Sequence, residues 1–473
     1  MLTYDLDRRG KLARYDYLYR CIREDILAGR LTAGEKLPSK RSLASHLQTA
    51  VITVQNAYAQ LEAEGYLYTR EKRGYYVADV ERHPAAPGRA PARSAPQPQR
   101  SWLLDLSSGG SGTEDFPFSV WAKLMRRVLS EEGEALLRAT PPNGADALRR
   151  AIAQQLYRFR GITAEPEQIV VGAGTEYLYN LIVQLLGRET VYGVEDPGYS
   201  KAARIYALSG ARTAPVRVDE GGVRLASLER SGAQILHTSP NHQFPTGAVT
   251  PIGRRQSLLR WADAQTGRYI IEDDYDSEFR FTLRPIPTLQ SIDHAGRVIY
   301  VNTFSRTLAP SMRISYMVLP KALIAPYRER LGFYSCTVPA MEQYTLARFL
   351  DEGYFEAHIN RMRKSYHAQR DAVIDTILQS PLGEHCRVSG EDAGLHFLLT
   401  IDTKCTDHVL RADAEGRGVR LSFLSDFALR PGSAPQHTLV IHYPGIDLGR
   451  LRSALSILEA LLYFRDWKYK GRK

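Results

Sequence analysis

The hydrophobic pattern of the first 80 residues predicts three helices followed by a β-hairpin. Apolar residues recur at helical spacing in three stretches, which are Tyr15, Leu18, Ile22 and Ile26, then Leu43, Ala44 and Leu47, then Val54, Ala57, Tyr58 and Leu61. Ser39 is suited to cap the second helix, and Gly29 and Gly65 follow the ends of the first and third. Aromatic runs on both sides of Gly74 predict two short antiparallel strands. Three helices and a hairpin with a basic tip form a winged helix-turn-helix.

The rest of the chain has a different pattern, in which short apolar β-branched runs alternate with stretches of helical periodicity. This alternation is typical of an α/β fold with a mainly parallel sheet. Two of the runs, in the segments 270–279 and 301–310, pass directly into polar residues. Buried parallel strands deliver site residues in this way at their carboxyl ends. We therefore expect the functional site where these two strands end.

Residues 81–100 separate the two patterns, and they are rich in proline and alanine and contain no aromatic residue. Such a segment favours an extended, semi-rigid linker. The predicted organisation is a winged helix-turn-helix domain at 1–79, a linker at 80–104 and a large α/β domain at 105–473.

Composition adds charge to this picture. The 473-residue chain carries a formal net charge of +10, which is consistent with a polyanionic partner. Its four cysteines have no metal-ligand spacing, so we expect free thiols in a reducing compartment and no metal site; they are Cys21, Cys336, Cys386 and Cys405. The sequence has neither an apolar leader nor a long uncharged apolar run, which predicts a cytoplasmic protein without membrane association.

The segment Leu37-Pro38-Ser39-Lys40-Arg41 and the Leu-Ala, Thr-Val, Ala-Tyr and Glu-Gly-Tyr-Leu groups after it resemble the GntR-type winged-helix domain of bacterial regulators. The resemblance implies binding to double-stranded promoter DNA, with the second helix of the motif in the major groove and the wing at the backbone or minor groove. Candidate DNA contacts are polar or basic residues of these elements: Ser39, Lys40, Arg41, Thr49, Thr53, Gln55, Arg70, Lys72 and Arg73. A winged helix used only for protein contacts is the alternative.

The start of the recognition helix departs from the family. Members usually have Ser-Arg-x-Thr-Val there, whereas this chain has Ala-Val-Ile-Thr-Val at 50–54. The change removes a helix N-cap and a charged DNA contact. Val51 and Ile52 are instead suited to contact thymine methyl groups.

A second set of motifs covers the large domain. They are the strand–glycine–helix passage at 168–175 and the segments 195–199, 238–247, 270–279, 301–310 and 313–320. With the winged helix, they resemble the MocR/GabR subfamily of GntR-type transcription regulators. The resemblance implies a fold-type-I aminotransferase-like domain that binds pyridoxal 5′-phosphate (PLP), a smaller C-terminal α+β subdomain, and a head-to-tail homodimer.

The resemblance also assigns roles to individual residues. Asp273 would pair with the pyridinium nitrogen, Tyr275 would hydrogen-bond the ring hydroxyl, and Tyr199 would stack on the ring face. Backbone amides, hydroxyl groups and a guanidinium would hold the phosphate; they belong to Gly174, Thr175, Thr303, Ser305 and Arg313.

Position 306 departs from the family, because an arginine stands where the resemblance places the lysine that forms a Schiff base with PLP. That bond needs a neutral amine, whereas a guanidinium stays protonated and delocalised. We therefore expect Arg306 to leave PLP non-covalently bound and the chain without transaminase activity. An engineered lysine-to-arginine replacement and a natural loss of the lysine both explain this residue.

The effector side of the pocket differs as well. Lys201 takes the place of an arginine that follows the Pro-Gly-Tyr motif in GabR-like members. Asp426 aligns with the arginine that binds a substrate carboxylate, and Arg430 is close enough in sequence to substitute for it. These changes disfavour a γ-amino acid held by an arginine clamp. An amine, an amino acid or PLP itself stays open as the effector.

Three functions fit the sequence. The first is a DNA-binding transcription regulator that senses PLP or a PLP adduct with an amine or amino acid. The second is a PLP-dependent aminotransferase with an accessory winged helix, and the third is a dimeric scaffold with a vestigial pocket. The winged helix and Arg306 favour the first over the second.

Overall fold

A computed structural model of the chain describes residues 2–10, 12–71, 73–80, 101–107, 115–276, 278–281, 286–392 and 394–465. The chain divides into two compact units, Met1–Gln99 and Arg100–Lys473. None of the described helices combines the length and the apolar character that a membrane crossing requires.

The first unit contains the three helices and the antiparallel hairpin that the sequence predicts. Their bounds are α1 Arg14–Leu27, α2 Lys40–His46, α3 Val51–Ala63, β1 Leu67–Arg70 and β2 Gly74–Val77. Of the four apolar residues at helical spacing in α1, Tyr15 is 40% exposed, and the packed face begins at Leu18.

Capping follows the sequence closely in this unit. Ser39 Oγ accepts a hydrogen bond from the backbone N–H of Ser42 at 3.2 Å and so caps α2. Ala50 precedes α3 and offers no side-chain cap. The hydroxyl of the fully buried Tyr58 donates to the carbonyl of Pro38 at 3.1 Å, which ties α3 to the start of α2.

The second unit alternates helices and strands along most of its length. Its helices are α4 Phe118–Glu132, α5 Asp146–Arg160, α6 Thr175–Leu186, α7 Ser200–Leu208, α8 Leu225–Arg230, α9 Ile252–Asp263, α10 Lys321–Leu331, α11 Ala340–Asp351, α12 Tyr354–Leu378, α13 Asp407–Gly416 and α14 Leu448–Arg465. Its strands are β3 Leu104–Asp105, β4 Ile169–Gly172, β5 Val191–Asp196, β6 Arg212–Asp219, β7 Gly222–Val223, β8 Ile235–Thr238, β9 Tyr269–Asp273, β10 Val298–Thr303, β11 Ser315–Val318, β12 Cys386–Ser389, β13 His396–Ile401, β14 Val419–Arg420 and β15 Thr438–His442.

Eight of the described strands form one large sheet in the order β4-β11-β10-β9-β8-β5-β6-β7. The strands β10, β9, β8, β5 and β6 run parallel, whereas β11 is antiparallel to both of its neighbours. The sheet is therefore mainly parallel, as the sequence predicts. Strands β8, β9 and β10 are buried along almost their whole length, which accounts for their continuous apolar runs. Their carboxyl ends lie side by side at one edge of the sheet.

The C-terminal part of this unit is a smaller α+β subdomain, in agreement with the predicted fold class. Strands β12, β13 and β15 form an antiparallel sheet in which His396 of β13 faces His442 of β15. Strand β3 pairs in parallel with β14, with Leu104 beside Val419. Residues 101–104, which the sequence analysis placed in the linker, thus already belong to the larger unit.

Candidate functional site

An open cavity lies at the carboxyl ends of β8, β9 and β10. Several of its walls are side chains that the sequence singled out, and others were not predicted. The residues that line it are Thr175, Tyr179, Tyr199, Ser239, Phe244, Asp273, Tyr275, Thr303 and Arg306. The convergence of loops that are far apart in sequence makes this cavity the candidate site.

One end of the site is the start of α6. Gly174 precedes the helix with a φ of 96°, and a Cβ added there would collide with the guanidinium of Arg313. The guanidinium of Arg313 therefore rests against the helix N-terminus, where it also pairs with Glu176 at 3.2 Å. The buried hydroxyl of Ser305 has no hydrogen-bond partner among the described residues. A helix N-terminus, a guanidinium and an available hydroxyl form a suitable anion site.

Asp273, the last residue of β9, is held by two side chains that the sequence did not reveal. Tyr179 Oη donates to Asp273 Oδ2 at 2.5 Å, and His237 Nε2 lies 3.4 Å from the same oxygen. Tyr206 Oη is 2.6 Å from His237 Nδ1, so the imidazole accepts from Tyr206 when its Nε2–H points to the carboxylate. Burial, together with the charge of Asp273, raises the pKa of Tyr179 well above its usual range, which keeps the phenol protonated as a donor.

The other carboxylate oxygen, Asp273 Oδ1, is buried and has no hydrogen-bond partner in the part of the chain that the structure describes. Leaving a buried carboxylate oxygen without a donor costs free energy. Because Asp273 itself lines the cavity, a donor from a ligand is suited to satisfy Oδ1.

Tyr275 is backed by a histidine–carboxylate pair. His242 Nδ1 lies 2.9 Å from Asp276 Oδ2 and 3.2 Å from Tyr275 Oη. An ionised carboxylate only accepts, so the Nδ1 proton of His242 is directed to Asp276. The phenolic proton of Tyr275 is then left to donate into the cavity.

The same histidine belongs to a group that could hold a cation. Donor atoms of His242, Asp276 and His396 all lie within 4.8 Å of one another, and the three residues are buried. The hydrogen bond from His242 to Asp276 already accounts for the closeness of that pair. The sequence predicted no metal site. That prediction rested on the spacing of the cysteines and did not consider these three residues.

Aromatic and imidazole rings pack beside the cavity. Phe244 contacts Tyr199 and Tyr275 edge to face, with ring centroids 6.2 and 6.3 Å apart. The rings of His396 and His442 lie behind it, with centroids 5.2 and 6.1 Å from Phe244. Burial, with smaller contributions from neighbouring charges that include Arg306, lowers the pKa of His396 far below its usual value. These imidazoles are therefore neutral near pH 7.

The pKa of His442 predicts a loss of stability in acid. Burial and then the charge of Arg306 lower this pKa from 6.5 to about 4. The unfolded chain therefore takes up the proton first, and the free energy of unfolding should fall as the pH drops from about 7 to 4. His442→Gln should remove about 3 kcal/mol of that loss. Denaturant unfolding of both proteins across this pH range measures the difference, and parallel pH curves would contradict it.

The predicted effector residues lie in ion pairs around the cavity and do not line it. Lys201 Nζ is 2.9 Å from Glu176 Oε1, and Asp426 pairs with Arg411 within the smaller subdomain. Arg430 Nε donates at 2.9 Å to Oδ2 of Asp196, whose side chain is fully buried.

Arg306 projects from the loop after β10 and lines the cavity. The residue is exposed, unlike its neighbours Thr303 and Phe304. Within the described ranges its guanidinium forms no hydrogen bond or ion pair, which leaves a permanent positive charge directed to a ligand.

Sequence reasoning missed Tyr179, His237, Ser239, Phe244 and the paired histidines of the smaller sheet. The sequence could have indicated Tyr179, because it follows Thr175 by about one helical turn and so lies on the same face of the helix. Phe244 lies within the segment 238–247 that the sequence analysis noted. The histidines lie on strands that are remote in sequence, and no local sequence pattern indicates that they lie beside the site.

The candidate DNA surface belongs to the first unit. Ser39, Arg41, Gln55, Arg70 and Arg73 are exposed, whereas Lys40, Thr49 and Thr53 are half-buried. The guanidinium of Arg70 lies over the Tyr76 ring at 4.9 Å, and the Lys40 ammonium lies 5.6 Å from the Tyr75 ring. The hydroxyl of Thr49 is buried and so turned from solvent. Val51 and Ile52 are 43% and 57% exposed, and Lys72 lies outside the described residues.

Two family profiles match the chain. The one described as Aminotransferase class I and II covers residues 103–410, and the one described as Bacterial regulatory proteins, gntR family, covers residues 14–77. The chain is 37% identical over 464 residues to the uncharacterized HTH-type transcriptional regulator YdeL of Bacillus subtilis, a match that covers 97% of this chain and 99% of YdeL. It is 33% identical over 471 residues to the probable rhizopine catabolism regulatory protein MocR of Rhizobium meliloti, covering 96% of this chain and 95% of MocR.

Among solved structures, the larger unit is similar in fold to the kynurenine aminotransferase of Pyrococcus horikoshii. The TM-score is 0.68 at 22% identity, and the match covers 80% of this chain and 93% of that protein. At this identity the likeness concerns the fold alone.

Proposed function

The chain belongs to the MocR subfamily of GntR-type transcription regulators, which join a winged helix to an aminotransferase-like domain, and we propose that it controls transcription in response to PLP or to a PLP adduct with an amine or amino acid. The observation that carries the proposal is the set of unsatisfied buried atoms beside the cavity. Asp273 Oδ1 and Ser305 Oγ lack partners among the described residues, and both lie where the motif assigns cofactor contacts.

The residues of the cavity fit PLP. Asp273 would accept from the protonated ring nitrogen, and Tyr275 would donate to the ring oxygen. The phosphate would lie at the start of α6, held by the amides of Gly174 and Thr175, by Thr303 and Ser305, and by Arg313. Thr303 Oγ1 also accepts from Ser315 Oγ at 2.7 Å and from the Ser305 N–H at 3.1 Å, so it supports this end of the site. Tyr199 would cover the ring face.

The same residues make this chain a sensor in which the cofactor is held reversibly. PLP supplies an aldehyde that condenses with amines and a ring that accepts electrons. Arg306 cannot condense with that aldehyde, so we propose that PLP binds without a covalent bond and that the chain does not transaminate. An aminotransferase with an accessory winged helix is the weaker alternative, since no lysine lines the cavity among the residues that the structure describes.

We further propose that the protein acts as a head-to-tail homodimer in the cytoplasm. Two winged helices would then bind paired half-sites in a promoter, as dimeric helix-turn-helix proteins do. This assembly is carried over from the subfamily resemblance. Light scattering of the full chain, with and without a DNA duplex, measures the stoichiometry.

The proposal predicts DNA binding that depends on salt and on PLP. Each phosphate neutralised by a lysine or arginine contributes about one unit to the slope of log affinity against log salt. Affinity for a duplex selected by the protein from a random pool should therefore fall steeply with salt. Saturating PLP should change that affinity, because a ligand shifts function only through a difference between states. Fluorescence anisotropy over a salt series, with and without PLP, measures both effects.

Two variants control this experiment. Arg73→Met, in the exposed wing, should lower the salt slope by about one unit for each protomer bound. Arg127→Met alters an exposed residue of α4 that pairs with Glu352 and should leave the slope unchanged. Affinity that does not respond to salt would remove the DNA assignment, and affinity that ignores bound PLP would remove the sensing assignment.

A further inference from the structure

The basic residues near the cavity differ in how they are paired. Arg313 and Lys201 both contact Glu176, at 3.2 and 2.9 Å, and Arg430 contacts Asp196. Among the residues that line the cavity, Arg306 is the one cation in the described part of the chain. It has no acidic partner there, so its N–H groups have no protein acceptor.

Two of the nearby histidines, His396 and His442, do not supply positive charge. Burial is the main cause that lowers the pKa of His396 and His442, and the charge of Arg306 adds to it. Both imidazoles are therefore neutral where Arg306 is charged. The cavity is polarised as a result, with the carboxylate of Asp273 on the β9 strand end and the guanidinium of Arg306 on the loop after β10.

The chemistry of the cofactor indicates which of its groups meets Arg306. In PLP the carbon-4 substituent lies between the ring hydroxyl at carbon 3 and the phosphate arm at carbon 5. The site assigns Tyr275 to the hydroxyl and Ser305 to the phosphate. Arg306 follows Ser305 directly, and its charge opposes the rise that burial causes in the pKa of Tyr275. Tyr275 and Arg306 line the same cavity, and Arg306 is the chain neighbour of Ser305, so its guanidinium is placed to reach the carbon-4 substituent.

We propose that Arg306 determines which carbon-4 substituent the pocket accepts: it selects phosphorylated 3-hydroxypyridines with a carbonyl or carboxylate there and rejects those with an aminomethyl group. The inference rests on the proposed PLP site and names its ligand class. A guanidinium donates well to a carboxylate, with parallel hydrogen bonds, and to a carbonyl oxygen. An ammonium in the same place meets a like charge. Replacement of the lysine therefore changes a covalent anchor into a specificity element.

Four probes with the same ring and phosphate test this proposal on the full chain. They are pyridoxal 5′-phosphate, pyridoxine 5′-phosphate, pyridoxamine 5′-phosphate and 4-pyridoxic acid 5′-phosphate. Calorimetry at neutral pH should give the tightest binding for the acid and the aldehyde, intermediate binding for the alcohol, and binding about tenfold or more weaker for the amine.

Variants at one position show whether Arg306 is responsible. Arg306→Met keeps an unbranched chain without charge and should bring the affinities for the acid and the amine within about threefold of each other. Arg306→Lys keeps the charge and should keep the preference for the acid over the amine. Arg127→Met, outside the cavity, should bind all four probes as the unmodified chain does. Because Arg306 is exposed and unpaired among the described residues, its variants should have the same melting temperature as the unmodified chain.

Each result of these titrations either supports or overturns the proposed role of Arg306. If the unmodified chain binds all four probes equally, or binds the amine most tightly, the specificity role of Arg306 is overturned while the cofactor site stands. If Arg306→Met keeps the full preference, another group provides it, and the proposal is overturned as well. If none of the probes binds, the proposed cofactor site falls together with this inference.

Discussion

Protein incubated with PLP and reduced with borohydride should carry no covalently attached cofactor, whereas Arg306→Lys should carry one per chain. Attachment requires a neutral amine next to the aldehyde, and a guanidinium is protonated and delocalised and does not condense with it. The cavity otherwise has the elements that we propose to hold the cofactor, including Asp273 Oδ1 and Ser305 Oγ, which have no partner in the described chain. Intact-protein mass spectrometry measures the attachment, and absorbance in the visible range reports it before reduction.

Lys201 provides the control for stray attachment. Its side chain is 57% exposed, its ammonium pairs with Glu176, and the residue does not line the cavity. The double variant Arg306→Lys with Lys201→Met should therefore still carry one cofactor per chain. Stoichiometric attachment to a residue of this cavity in the unmodified chain would refute non-covalent binding and reopen the aminotransferase alternative.

Removal of the Asp273 charge should weaken PLP binding at least a hundredfold. The Asp273 carboxylate is 6% exposed, and with a bound pyridinium it would form a largely buried ion pair. Breaking a buried pair by removing one partner costs on the order of 3–5 kcal/mol, and 1.4 kcal/mol corresponds to a factor of ten in affinity. Asp273→Asn keeps the size of the side chain and removes its charge. Calorimetric titration with PLP measures the change.

A matched control separates this effect from damage to the fold. Asp219→Asn changes the last residue of β6, an aspartate that pairs with Arg254 and lies outside the cavity. This variant should leave PLP affinity unchanged. Circular dichroism of Asp273→Asn should match that of the unmodified chain. Equal PLP affinity in Asp273→Asn and the unmodified protein would exclude Asp273 from the site.

The acidic run in the segment 270–279 shows where sequence reasoning reaches its limit. Four of its carboxylates are buried, and each has a different role. Glu272 accepts the backbone N–H groups of Leu289 and Gln290 at 2.8 and 2.9 Å. Asp274 and Asp276 pair with Arg160 and His242. The carboxylate of Asp273 alone among these four lines the cavity, which the motif indicated and the composition of the run did not.

The effector side shows the same limit. Sequence reasoning offered Arg430 as a substitute for a carboxylate-binding arginine. The structure pairs it instead with Asp196, 234 residues earlier in the chain, and Ser433 and the Leu429 amide share the same carboxylate. Whether an arginine is available for a ligand depends on whether an acidic side chain lies beside it. No local pattern reports a partner at that distance in sequence.

The sequence by itself determined the winged helix, the mainly parallel sheet and the strand ends at Asp273 and Thr303, because helical periodicity, apolar runs and turn residues act over a few neighbouring positions. Only the tertiary structure decided which polar groups are satisfied. It brought Tyr179 and His237 to Asp273, placed two neutral histidines of a remote sheet beside Phe244, and left Arg306 without an acidic partner among the described residues. Those outcomes depend on contacts between segments far apart in the chain, and burial then sets how strongly each charge acts.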